Sequence, residues 1–290
     1  MPVYNGARYL EEAIESILNQ TFSDFEFIII DDGSTDNSLK IIKQYAGIDS
    51  RIQIITRENK GLVLTLNEGI SLARGEFIAR MDADDVSLPN RFEKQIELLT
   101  TKGADICGCH YHLIDEKGVY IDSAITPLCL NSFAVYLSST TPFAHGSVMV
   151  RREVFQGRKY YYGMTGAKSA EDYALWIEMF NHGMKFANVD EFLFKYRDFS
   201  GSLSKGNKVA VKQDAKRLSR DFILQNKDML FLRVNQLDDL RISNREQELL
   251  VIALFRMSVM LRKISVMSAL RKFSRRNLVV GFVRFVFGVS

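Results

Sequence analysis

Cysteine is scarce in this chain: Cys107, Cys109 and Cys129 are the only three among 290 residues. Three thiols cannot build a disulfide framework, which sets aside the small stapled folds of secreted proteins and suits a reducing compartment. The opening residues, MPVYNGARYLEE, lack a basic segment followed by an apolar core, so no signal peptide is expected. No apolar run approaches the ~18 residues needed to cross a bilayer. The runs LLVIALF and LVVGFV near the end are each closed by arginine. Internal repeats, low-complexity tracts and heptads are also missing, which argues against solenoids, linkers and coiled coils. A cytosolic location is expected.

What remains is an ordinary globular composition, 47% hydrophobic and 25% charged, long enough for one large domain or a domain with an appendage. Its charge is uneven. Residues 1–204 carry 20 Lys and Arg against 28 Asp and Glu, a net of −8, whereas residues 205–290 carry 18 against 7, a net of +11. No acid follows Glu248, while Arg256, Arg262, Lys263, Arg271, Lys272, Arg275, Arg276 and Arg284 do. An acidic body with a basic tail predicts contact between the tail and an anionic surface, a membrane before nucleic acid. The alternative is a solvated basic helical subdomain.

The most informative stretch is Gly75 to Arg91, GEFIARMDADDVSLPNR. An apolar run, Phe77 to Ala79, reads as a buried strand that ends at Asp82, Asp84 and Asp85. Carboxylates this close repel one another unless a cation neutralises them, and hard ions such as Mg2+ or Mn2+ prefer oxygen ligands. In open α/β sheets, ligands sit beyond the carboxyl ends of the strands, where this cluster falls. A solvated acidic turn, with Ser87 capping the next helix and Pro89 opening it, is the plainer alternative.

Before it, Met1 to Asn5 reads as the end of a strand, and Leu10 to Leu18 as an amphipathic helix. FEFIII (Phe25–Ile30) is a parallel-type strand ending in Asp31-Asp32-Gly33-Ser34-Thr35-Asp36. A helix over 37–45, a strand over 51–56 and a helix from Gly61 to about Ala73 follow. This β-α alternation predicts one parallel sheet with helices on both faces and two acidic clusters at its strand ends. Beyond Arg91 the sequence predicts a helix to Thr101, a strand over 105–112 and a loop-rich region over 113–144. Cys-x-Cys in that strand puts both thiols on one face and His110 and His112 on the other, a core strand in preference to a zinc site. His145 lies in a loop before a short strand over 147–150. Tyr160 to Lys168 suggests a mobile loop over a pocket. Glu171 and Asp172 open a helix closed by Gly183, where the helix dipole favours their ionised forms. Strands over 185–189 and 192–197 close the unit near Ser204, and the chain beyond Lys205 reads as helical.

Six segments, in order, resemble glycosyltransferase family 2, the inverting nucleotide-sugar transferases with a GT-A fold. They are MPVYNGARYLEEAIESILNQTF, FEFIIIDDGSTDNS, NKGLVLTLNEGI, ARGEFIARMDADDVSLPNRFEKQ, HGSVMVRREVF and AEDYALW, within residues 1–204. The resemblance implies an α/β GT-A domain over 1–204, a Rossmann-like mostly parallel sheet, followed by a basic helical C-terminal region over 205–290. It implies that Pro2, Val3 and Tyr4 lie near the nucleotide base and that Asp32 hydrogen-bonds it. Asp82-Ala83-Asp84 would be the DxD motif, with Asp84 holding Mn2+ or Mg2+ on the diphosphate and Asp82 near the ribose or metal. Asp172 would be the general base, with Glu171, His145 and Trp176 around the acceptor pocket. The donor would be a nucleotide-diphospho-sugar, and the acceptor a glycan or lipid-linked glycan at the inner face of the membrane. The region 249–290 would make the peripheral contact there, and no nucleic-acid partner is expected.

The sequence departs from the family pattern in three places. The start is short, without the apolar residues that usually precede MPVYN. Phe199 stands where members often have a histidine two residues past the arginine. The Gln-x-x-Arg-Trp motif of processive synthases is absent, which favours addition of a single sugar. Two other readings compete: a Mg2+-dependent phosphoryl-transfer protein, which leaves Asp172 without a role, and a nucleotide-sugar binder that has lost catalysis.

Overall fold

The computed structural model describes residues 1–167, 169–199, 201, 208–235, 244–261 and the single positions 273, 277, 280 and 281. The run FIIID forms β2 (Phe27–Asp31), flanked in parallel by β1 (Pro2–Val3) and β3 (Ile52–Thr56). Val3 pairs with Asp31, and Asp31 with Thr56. The near-continuous burial of β2 is what a strand covered on both faces requires. Helix α1 (Leu10–Leu18) covers it with Leu10, Ala13, Ile14 and Ile17, one face at helical spacing. Helices α2 (Ser38–Ala46) and α3 (Leu62–Leu72) complete this half.

The second sheet is mixed. β4 (Phe77–Ala79) pairs antiparallel with β8 (Met149–Arg151), β8 antiparallel with β6 (Ile106–Ile114), and β6 parallel with β9 (Phe186–Arg197). β5 (Val86–Ser87) and β7 (Tyr120–Ala124) add antiparallel pairings to β9 and β6. The α/β class is as expected, but the single parallel sheet is not what forms. Among the described residues β1 spans two residues and pairs only with β2, while β8 returns antiparallel onto β4. Asp32 and Asp82 therefore end strands of two different sheets.

Three boundaries differ from the sequence reading. β9 is one continuous strand where two were expected. The region 113–144 contains β7 and a helix, α5 (Leu130–Leu137), besides its loops. α5 shows no amphipathic period because it is buried from Ser132 through Leu137, covered on its outer side by later helices. The helix after Ser87, α4 (Arg91–Lys102), is preceded by Asn90, and Ser87 lies in β5 with its hydroxyl accepting from Arg91 Nε at 2.7 Å.

Beyond α6 (Glu171–Asn181), helices α7 (Lys208–Gln225), α8 (Lys227–Asn235) and α9 (Asn244–Leu261) share the core of the earlier residues. Leu218 and Phe222 pack with Phe133, Trp176 and Phe186, and Leu249 to Leu254 pack with Val135 and Ile223. Arg256, counted in the basic tail, points inward: its Nη1 donates to Ser138 O at 3.1 Å and Ser219 Oγ at 2.6 Å. Arg262, Lys263, Arg271, Lys272, Arg275, Arg276 and Arg284 lie outside the described residues, as does Lys168. Among the described residues no helix is long and apolar enough to cross a membrane.

Candidate active site

The acidic turn is held between two strands. β4 ends at Ala79, Arg80 N donates to Val148 O at 2.8 Å, and β5 is pinned to β9 through Val86–Lys195 and Ser87–Phe194. Between these anchors the chain must turn tightly, and one carboxylate oxygen each from Asp82, Asp84 and Asp85 comes within 4.8 Å of the others. Asp85 is 2% exposed. Its Oδ1 accepts from Arg197 N at 2.8 Å, and its Oδ2 is buried without a hydrogen-bond partner. Burial first, then the Asp84 charge, raises its pKa to about 8. Burial also raises that of Asp84, against the pull of Arg80 and Arg197. Gathered oxygens, charges that resist coexisting and an orphaned buried Oδ2 fit a hard divalent cation, and so the donor set suits Mn2+ or Mg2+.

Gly146 leaves room for this cluster. A Cβ there would sit 2.8 Å from Asp85 Oδ2, 3.2 Å from Asp82 Oδ2 and 2.6 Å from the Phe194 ring. The single 3-10 turn His145–Ser147 thus brings the Gly146 backbone against the carboxylates. The His145 Nε2 and the Tyr162 hydroxyl are 2.8 Å apart. Burial, with Arg80 nearby, holds His145 well below its ordinary pKa, so the ring is neutral.

Glu171 and Asp172 open α6. Burial raises the pKa of Asp172, while the Tyr173 N–H and the Arg80 charge oppose it. Glu171 is raised to about 7 by burial and then by the Asp172 charge. Trp176, expected at the pocket, is fully buried beneath it and supports the rings of His145 and Tyr162 edge-on, with centroids at 6.1 and 6.3 Å. The segment 160–168 is anchored instead of loose over its described part. Tyr160, Tyr162 and Ala167 are buried, and the Asn67 amide exchanges two 3.0 Å hydrogen bonds with the Tyr162 backbone.

On the side of the first sheet, Val3 is buried, Tyr4 is exposed and Pro2 half-buried. Asp32 is fully engaged from within. Its Oδ1 accepts from Lys60 N at 2.8 Å, its Oδ2 from Gly61 N at 2.9 Å, and Arg57 forms an ion pair with it. The carboxylate thereby shapes the turn from β3 into α3.

Sequence reasoning passed over Arg80, Tyr162 and Arg57. Arg80 is the centre of the site: its side chain is 9% exposed, pairs with Asp82, and interacts electrostatically with Tyr162, Asp85, Asp172 and Asp84. The signal was present, because an arginine two residues before Asp82 on an extended segment faces the same side. Tyr162 carried no such signal, since its partners come from segments distant in sequence.

By fold the molecule is a GT-A-type transferase. Residues 1–349 of S. aureus TarS in complex with UDP match it with a TM-score of 0.59 and 18% identity, over 99% of this chain and 90% of that one. The mannosyltransferase PcManGT of Pyrobaculum calidifontis, in complex with GDP-Man and Mn2+, matches with a TM-score of 0.59 and 15% identity, over 100% of this chain and 86% of that one. The chain belongs to glycosyl transferase family 2, whose model matches residues 1–158. EpsE of Bacillus subtilis is 36% identical over 228 residues, 75% of this chain and 81% of that protein. The O-antigen biosynthesis glycosyltransferase WbnJ of Escherichia coli is 34% identical over 226 residues, 77% of this chain and 87% of that protein. The protein is accordingly a glycosyltransferase.

Proposed function

We propose that this transferase moves one sugar from a nucleotide-diphospho-sugar to an acceptor hydroxyl with inversion, in the synthesis of a cell-surface polysaccharide or lipid-linked glycan. One observation carries the reading: Arg80 interacts electrostatically with both Asp84–Asp85 and Asp172, so two carboxylate groups from distant segments face one buried cation. Single displacement needs such an arrangement, a leaving-group side and a proton-accepting side with the sugar between them.

Asp84, with Asp82, would hold Mn2+ or Mg2+, which supplies positive charge to offset the negative charge growing on the departing diphosphate. Pro2, Val3, Tyr4 and Asp32 would bind the nucleotide base, Asp32 from a carboxylate already fixed by Lys60 and Gly61. Asp172 accepts the proton of the acceptor hydroxyl; burial raises its pKa and so its basicity, while the Tyr173 N–H and Arg80 support its ionised form. Neutral His145 and Tyr162 wall the site beside the acceptor with Glu171. Residues 1–204 would form the transferase unit and 205–290 a helical region, whose described helices share its core. Peripheral contact with the anionic inner face of the membrane belongs to the same reading. Since Leu249 to Leu254 and Met257 are core, that contact falls to positions beyond them in the acid-free stretch.

The test separates the two carboxylate groups. Thermal stability is measured against UDP, GDP and their sugars with and without Mn2+, because a ligand that binds only the folded state raises the melting temperature. Asp84→Ala is expected to abolish the metal-dependent shift, and Asp172→Asn to keep it while removing transfer. An Asp84→Ala protein that responds to Mn2+ and nucleotide as wild type does would overturn the metal assignment.

A further inference from the structure

Arg197 ends β9 with a side chain only 2% exposed, and its hydrogen bonds converge on the acidic turn. Its backbone N–H donates to Asp85 Oδ1 and its Nε to the Asp84 carbonyl, both at 2.8 Å. Its Nη1 reaches the Asp115 carbonyl at 3.2 Å, in the turn between β6 and β7, and its Nη2 reaches Glu12 Oε2 of α1 at 2.5 Å. The guanidinium lies over the Tyr9 ring, 4.4 Å from its centroid. Phe199 meets the same ring edge-on at 5.1 Å. One planar fork therefore ties the turn bearing Asp84 and Asp85 to α1 and to the far end of the second sheet. A lysine cannot reproduce this, because its single ammonium has no fixed donor plane.

We infer that Arg197 is the positioning residue of the metal-side turn: it fixes the backbone of Asp84 and the carboxylate of Asp85 so that the acidic oxygens converge, and Glu12 fixes Arg197 in turn. This rests on the function proposed above. Arg197 binds neither donor nor acceptor. It acts through Asp84, and Phe199, where members of the family often carry a histidine, is committed to packing on Tyr9.

The prediction concerns metal affinity. Outer-shell partners of metal ligands, when replaced, cost roughly 10–100-fold in affinity. In the full chain, with UDP and with GDP, the Mn2+ concentration at half-maximal thermal shift is expected to rise about tenfold in Arg197→Lys. The shift produced by nucleotide without metal should stay at its wild-type size. Lysine keeps the positive charge, so the change reports the fork and not the field; a purely structural role would lower the melting temperature and leave the Mn2+ midpoint in place. Glu12→Ala, at a half-exposed surface position, removes the acceptor of Nη2 without touching the core and should move the midpoint the same way by a smaller factor. It decides the matter if Arg197→Lys does not fold. A wild-type Mn2+ midpoint in a folded Arg197→Lys protein, or in Glu12→Ala where lysine is not tolerated, overturns the inference. Asp84→Ala in parallel separates the two levels. If it loses the Mn2+ response while the Arg197 and Glu12 variants keep the wild-type midpoint, only the positioning role falls. If it too responds as wild type, the metal site itself falls.

Discussion

Arg80 and Asp82, two residues apart at the end of β4, form an ion pair within the site, and the guanidinium Nε is left buried without a partner. The same guanidinium pulls the pKa of Asp172 and Glu171 down, against the burial that raises both. Arg80 thus offsets part of the burial that raises Asp172 and Glu171.

The sign of the pH dependence follows. In the proposed mechanism Asp172 must be ionised to take a proton, and its neighbour Glu171 is raised to about 7 by burial and then by the Asp172 charge. Burial raises Asp172 and Glu171 alike, so kcat/KM is expected to begin falling on the acid side at a higher pH than an ordinary aspartate base would give. Glu171→Gln removes a like charge, which lets Asp172 ionise at lower pH and shifts this acid limb downward. Arg80→Gln removes the opposing cation and shifts it upward. A pH–rate profile of the three proteins checks both directions; equal limbs would mean that neither residue tunes the base.

Gly146 is expected to tolerate no side chain. The added methyl of Gly146→Ala would meet Phe194 at 2.6 Å and Asp85 Oδ2 at 2.8 Å, closer than real Cβ contacts occur. Overpacking of a tight site costs roughly 1–3 kcal/mol. Because one of the displaced atoms is a carboxylate of the acidic turn, the Mn2+-dependent thermal shift should shrink along with the melting temperature. Denaturant unfolding with and without Mn2+ reads both effects.

Much of this was legible in order along the chain. The strand Phe77 to Ala79 running into Asp82, Asp84 and Asp85 announces itself, because apolar runs and clustered charges are local features. α1 shows its buried face at helical spacing for the same reason. α5 does not, since the second sheet covers one side and later helices the other, which erases its period. The antiparallel return of β8 onto β4 was equally invisible, because strand pairing is decided by contacts between segments some seventy residues apart. Arg197 illustrates the limit best. From sequence it marks the place before Phe199, and only the fold brings Asp84, Asp115 and Glu12 around it.

The Tyr162 hydroxyl should stabilise the site through His145. Tyr162 is buried and His145 partly so, the ring is held neutral, and the two atoms lie 2.8 Å apart. Tyr162→Phe keeps the ring that packs near Trp176 and removes one partner, leaving a buried imidazole nitrogen unsatisfied at a cost of about 1–3 kcal/mol. The Asn67 bonds to the Tyr162 backbone remain, so the segment stays docked. Unfolding free energy should drop by that amount while Mn2+ and nucleotide shifts persist.

Arg256 provides the last test, because it separates a core residue from a membrane contact. Composition places it in a basic tail, whereas the fold turns its guanidinium toward Ser138 O and Ser219 Oγ, joining α5, α7 and α9. Burial lowers its pKa, as expected of a cation withdrawn from water. Arg256→Met retains most of the apolar stem and deletes the donors. The orphaned acceptors and lost charged hydrogen bonds should destabilise the protein by about 1.5–3 kcal/mol in urea unfolding. Binding to vesicles rich in anionic lipid should be unchanged, since this charge is committed to Ser138 O and Ser219 Oγ. Weakened vesicle binding at unchanged stability would reverse that assignment and return Arg256 to the tail.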